Sequence, residues 1–149
     1  FARTGALSTW SRMCAADRIR ILDDTLDGNP DFTSAVTRVS GKPAKDRVRD
    51  GKSLGEILVI AHASTRAQTG QDVFILIDDG DGRTRAQREI AWLTRQQAPG
   101  RVTLWKTQQV LHAAKSQPGW IVDGLTAEQV YEKMRAFDEG LPPLAGRKL

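Results

Sequence analysis

The chain has 149 residues and a formal net charge of +4, which predicts one domain with its own core and a mild preference for polyanions. No apolar run approaches the roughly 20 residues a membrane-spanning helix needs, and no segment has the charged, apolar, small-residue order of a secretory leader. Cys14 is the only cysteine, so an internal disulfide is excluded, and with only His62 and His112 beside it a zinc site is not expected; a cytoplasmic protein without a membrane partner is the expectation.

Arg3 to Ala16 is predicted as a helix with Ala6, Leu7, Trp10, Met13 and Cys14 on one face. Arg18 to Leu22 alternates through Ile19 and Ile21 and reads as a strand, and Asp23 to Pro30 is rich in turn formers. Asp31 to Val39 reads as a short helix burying Phe32, Val36 and Val39. Ser40 to Lys52, with Lys42, Lys45, Arg47, Arg49 and Lys52, reads as a mobile basic loop. Ser53 opens a strong helix on Leu54, Ile57, Leu58, Ile60, Ala61 and Ala63 that stops near Gly70. The run to Ile77 that follows Asp72 is continuously apolar, the pattern of a strand covered on both faces. After a turn at Asp78–Arg83, Thr84 to Gln97 reads as a helix closed by Pro99-Gly100, and Val102 to Trp105 as a third strand. Thr107 and Thr126 are predicted to cap the last helices, through Ala114 and Phe137.

Strands alternating with helices predict an α/β fold, a parallel sheet with helices on both faces. Ligands in such sheets gather outside the carboxyl ends of the strands. Asp23 and Asp24 follow the first predicted strand, Asp78, Asp79 and Asp81 the second, and Lys106 and Thr107 the third. Carboxylates gathered in a partly dry cleft repel one another, and a divalent cation relieves that repulsion while polarising a phosphate. With oxygen donors only, magnesium or manganese is the expected ion.

The same acids have purely structural readings. Ser53-Leu54-Gly55-Glu56 has the form of a capping box, in which Glu56 bonds back to its own helix start. Asp78 to Gly82 has the form of a turn before a helix that favours acids in its first turn. Asp79-Gly80-Asp81-Gly82 also looks like a haloacid-dehalogenase-type phosphatase signature, but it lies past the midpoint of the chain. A calcium loop on the same residues would place Arg88 where its closing glutamate belongs.

Leu54-Gly55-Glu56, then Leu76-Ile77-Asp78-Asp79, then Gly82-Arg83 and Ala86, and finally Val102-x-Leu104-x-x-Thr107-x-x-Val110-Leu111-x-x-Ala114, resemble in order and spacing the latter half of PIN domains, particularly toxins of toxin–antitoxin pairs. Arg3-Thr4-Gly5-Ala6-Leu7 resembles the segment that leads into the family's first helix. The resemblance implies a PIN-like domain spanning the chain and a metal-dependent ribonuclease that acts on RNA, with a cognate antitoxin protein and a homodimer as partners. It implies Glu56, Asp79 and Asp78 as catalytic or metal-binding acids, Asp24 as a further metal-ligand candidate, and Thr107 as an orienting group at the rim. Arg83, Arg85 and Lys52 become candidate substrate-binding cations. Two departures stand beside it: the family's opening strand with its aspartate is expected just before Phe1, and Gly28 occupies the position of a family glutamate. A catalytically impaired binding module for RNA or protein is therefore the alternative, with a phosphatase of small phosphoesters behind it. Trp10, Trp92, Trp105 and Trp120 are expected in cores or interfaces rather than stacked on bases.

Overall fold

The computed structural model describes residues 2–121, 124–138, 140–144 and 149, with side chains from residue 7 onward. Among these the chain forms α1 (Ala2–Ala15), α2 (Pro30–Ser40), α3 (Ala44–Arg49), α4 (Leu54–Gln68), β1 (Val73–Leu76), α5 (Gly80–Arg95), β2 (Val102–Trp105), α6 (Thr107–Lys115) and α7 (Ala127–Arg135). The fold is mixed α/β. β1 and β2 pair in parallel, Val73 opposite Val102 and Leu76 opposite Trp105, with α5 as the crossover between them. No described helix is long and apolar enough to cross a membrane.

α4 is the packing hub, touching α2, α5 and β1. Its buried residues are Ile57, Ile60, Ala61, Ala63, Ser64 and Ala67, so bulky side chains fill the core while the alanines let neighbouring backbones come close. Phe32 and Val36 of α2, Ile75 and Ile77 at the first strand, and Ala86 and Leu93 of α5 complete that core. Asn29 starts α2 by accepting from the Phe32 N–H at 3.2 Å, Pro30 fits the first turn, and Gly41 ends the helix at φ 68°. A smaller cluster of Leu111, Ala127, Tyr131 and Leu141 joins α6 to α7. The buried Tyr131 hydroxyl donates to the Pro142 carbonyl at 2.7 Å, which satisfies its polar end.

Several expectations need correction. Arg18–Leu22 forms no strand: Ile21 is exposed, and the Arg18 and Ile19 N–H groups donate to the Met13 carbonyl, closing α1 instead. Alternation alone cannot make a strand without a partner to accept its hydrogen bonds. The basic loop is partly helical as α3, with Arg47 buried, and Asp50 gathers both Arg47 and Lys42. The first strand is not covered on both faces. Ile75 and Ile77 are buried, whereas Phe74 is 65% and Leu76 51% exposed, Phe74 resting edge-on against Trp105. α5 begins at Gly80 rather than Thr84, because Asp79 caps it. On α1, Leu7 and Trp10 are exposed rather than packed, and the side chains of Arg3 to Ala6 lie outside the described residues. Trp120 is exposed as well.

A charged network ties α2 to α5 through α4. Arg38 donates from Nε to both Glu89 oxygens at 3.0 Å, Ser64 Oγ also donates to Glu89, and the guanidinium carbon lies 3.6 Å from the Trp92 ring centroid. Glu89 is only 4% exposed, so removing it leaves the partly buried Arg38 without its acid and beside other arginines. Glu89→Ala is expected to lower unfolding free energy by about 3 kcal/mol in urea titration. A loss within about 0.5 kcal/mol would show that the network contributes nothing net.

Candidate functional site

The two strands end at a common rim, and a single arginine holds their ends together. The Ile77 N–H donates to the Trp105 carbonyl, extending the pairing beyond β1. Arg83, in the first turn of α5, donates from Nη1 to the Ile77 carbonyl at 2.8 Å and to the Trp105 carbonyl at 3.0 Å. Its guanidinium thus satisfies backbone acceptors at the place where the ladder stops.

From this rim Asp78 and Asp79 diverge. Asp79 caps α5, its Oδ2 accepting from the Gly82 N–H at 2.8 Å. Asp78 turns to α6, accepting from the Thr107 N–H at 3.1 Å and from the Thr107 hydroxyl at 2.6 Å. Thr107 is buried and does not cap α6. The Lys106 N–H is met by the Gln109 side chain at 2.8 Å, and Lys106 is the cap residue. The Thr107 hydroxyl is thereby free to orient a carboxylate.

Glu56 reaches the same rim from α4. The capping box predicted at Ser53 does not form: Ser53 enters the helix at φ 54° without a side-chain cap bond. Glu56 Oε2 is instead buried with no hydrogen-bond partner among the described residues. Gly82 makes room for it. A Cβ at that position would sit 2.9 Å from Ile77 Cγ2 and 3.2 Å from Glu56 Cδ. Burial raises the Glu56 pKa above its ordinary value, the Asp79 charge adds to the rise, Arg85 opposes it, and Asp81 adds a little more. The resulting cleft has a volume of about 570 Å³, and Glu56, Asp78, Asp79 and Thr107 line it with Met134 from the end of α7 and Asp138 just beyond it.

The structure thus brings together Glu56, Asp78, Asp79 and Thr107, with Arg83 beneath them and Arg85 within electrostatic reach. It does not bring Asp24 to this cleft. Asp24 lines a neighbouring apolar groove and meets His62 Nε2 at 2.8 Å, while the His62 ring stacks on Phe32. Lys52 is exposed in the turn before α4. Among the described residues, no three histidine, cysteine, aspartate or glutamate side chains are grouped closely enough to hold a metal ion by themselves. Gly82 and Asp138 were not sequence candidates. Gly82 stood inside the Gly-Arg motif but its contact with Glu56 is non-local, and Asp138 carries no motif signal. Comparison of the chain with family models, with curated proteins and with solved structures gives no match.

The raised Glu56 pKa has a consequence for stability. The folded state holds this proton more firmly than the unfolded chain does. Stability therefore falls as pH rises from the ordinary glutamate value through the raised one, and stays lower above it. In the presence of chelator, Glu56→Gln is expected to be more stable than wild type near pH 7, with the advantage shrinking toward about pH 4. Urea midpoints at the two pH values check this, and an equal difference at both would show that folding leaves Glu56 ionisation unchanged.

Proposed function

We propose that this chain is a PIN-like, metal-dependent endoribonuclease whose site is the cleft of Glu56, Asp79 and Asp78. The observation that carries the reading is the buried, unpartnered Oε2 of Glu56 beside the carboxylate that caps α5. An acid oxygen withdrawn from water with no donor is costly, and a neighbouring like charge makes it more so. A bound cation offsets both costs. Parallel strands with acids at their shared carboxyl rim support the PIN-like reading of the fold.

The donors fit magnesium or manganese. All are oxygens, and magnesium is commonly held by one or two carboxylates, with waters and substrate phosphates filling its remaining positions. Glu56 Oε2 and the Asp79 oxygen not engaged by Gly82 would hold it. The chemistry a divalent cation supplies there is polarisation of a phosphodiester and neutralisation of its developing charge. Asp78, gripped by Thr107, fixes the wall between the strand ends and α6 and adds negative charge. Arg83 is a positioning residue that holds both strand ends. Arg85 and Lys52 place positive charge near the first turns of α5 and α4, where an RNA backbone would approach. The toxin role, the antitoxin and the homodimer rest on the family resemblance alone.

One observation favours the catalytically impaired alternative. Asp24 is held by His62 outside the cleft, and Gly28 sits in an exposed turn, so neither position adds an acid to it. Cleavage of single-stranded RNA with magnesium, with manganese and with chelator separates the two readings. Metal-dependent cleavage is expected for wild type, with a loss of roughly a hundredfold or more in Asp79→Asn and in Glu56→Gln. Cleavage that persists in both variants would remove the site. RNA binding without turnover under either metal would establish the binding module instead.

A further inference from the structure

A second concave surface lies along α5, beyond the acid cleft. Arg85, Arg88, Trp92 and Arg95 recur at helical spacing on one face of that helix, and the end of α2 at Arg38 and Gly41 closes the opposite wall around about 280 Å³. The charges here are unequally engaged. Arg38 is spent on Glu89 and Ser64 and lies over Trp92. Glu89, the acid in this lining, is in turn satisfied by Arg38 and Ser64. Arg85, Arg88 and Arg95 make no hydrogen bond or ion pair among the described residues, and Arg88 and Arg95 are exposed. Three guanidiniums without a hydrogen bond or ion pair among the described residues therefore line one groove whose acid is already paired.

We propose that this arginine face of α5 is a phosphate-binding track that takes the backbone of single-stranded RNA. Arg85 and Arg95 are ten residues apart, about 15 Å along the helix axis, which is room for more than one phosphate. Arginine suits the task because its planar fork meets phosphate oxygens in pairs. With one face of Trp92 covered by the Arg38 guanidinium, the track reads charge in preference to bases, and sequence tolerance follows. The groove between two helices admits one strand more readily than a duplex. Arg85 belongs both to this groove and to the electrostatic surroundings of Glu56, so the track leads toward the acid cleft. That direction rests on the nuclease reading, whereas anion binding on α5 stands independently of it.

The test uses the whole chain in chelator with a fluorescent oligouridylate of about a dozen nucleotides, and reads anisotropy across a salt series. Each single-strand phosphate contact contributes a slope of about 0.7 to log K against log salt, so Arg88→Gln/Arg95→Gln is expected to reduce the slope by about 1.4. Both positions are exposed, and an unchanged thermal midpoint verifies the fold. Wild-type affinity and slope in the double variant would overturn the track, as would equal competition by poly-glutamate of matched charge or equal affinity for duplex RNA. Loss of binding in the double variant, in a protein that cleaves RNA under neither metal, would keep the track and remove the nuclease. Metal-dependent cleavage with unaltered binding in the double variant would do the reverse.

Discussion

The geometry of the rim depends on the grip of Arg83 on two backbone carbonyls. β1 and β2 have only each other within the described sheet, and their carboxyl ends would be its least constrained part. One Arg83 nitrogen on the Ile77 and Trp105 carbonyls, together with the Ile77 N–H donated to Trp105, holds their separation. The following residues inherit that fixed spacing. Asp78 meets Thr107 because the residues before them are held side by side, and Asp79 is delivered to the start of α5. The arginine itself is anchored by the helix that Asp79 caps, so strand ends, helix start and α6 are mutually supporting.

Onto this frame α4 brings the one acid that has no local structural task. Its core residues lock the helix against α2, α5 and β1, so the Glu56 backbone is held beside the cleft. The absent side chain at Gly82 completes the arrangement by giving the carboxylate space beside Ile77. Packing, rather than a hydrogen bond, holds Glu56 near Asp79. That difference makes its ionisation expensive and its oxygen available.

Much of this was legible in the residues. An apolar run bounded by Gly70 and paired aspartates reads as a strand, although only one of its faces is buried, and Val102–Trp105 coincides with β2. The helix from Leu54 carries enough apolar residues to declare itself. Glu56, Asp78, Asp79 and Thr107 were nominated together, and they line one cleft. What escaped was set by distant partners. Ile19 and Ile21 have strand alternation but no neighbouring strand among the described residues. Arg47 looked like a surface cation, yet its burial depends on how α3 folds back. Arg83 is a substrate-contact candidate by sequence, and its bonds to the Ile77 and Trp105 carbonyls are non-local, so no local pattern announces them. The capping box at Ser53 failed for a related reason: a left-handed serine changes the path of the chain into the helix, which no sequence pattern reports.

Asp79 divides its labour. Oδ2 starts α5 by accepting from Gly82, and the same carboxylate lines the cleft. Asparagine caps helices about as well as aspartate, while alanine forfeits roughly 1 kcal/mol at such a position. The helix start and the negative charge at the rim can therefore be uncoupled at this residue by exchanging a single heavy atom, oxygen for nitrogen, with the cap left in place.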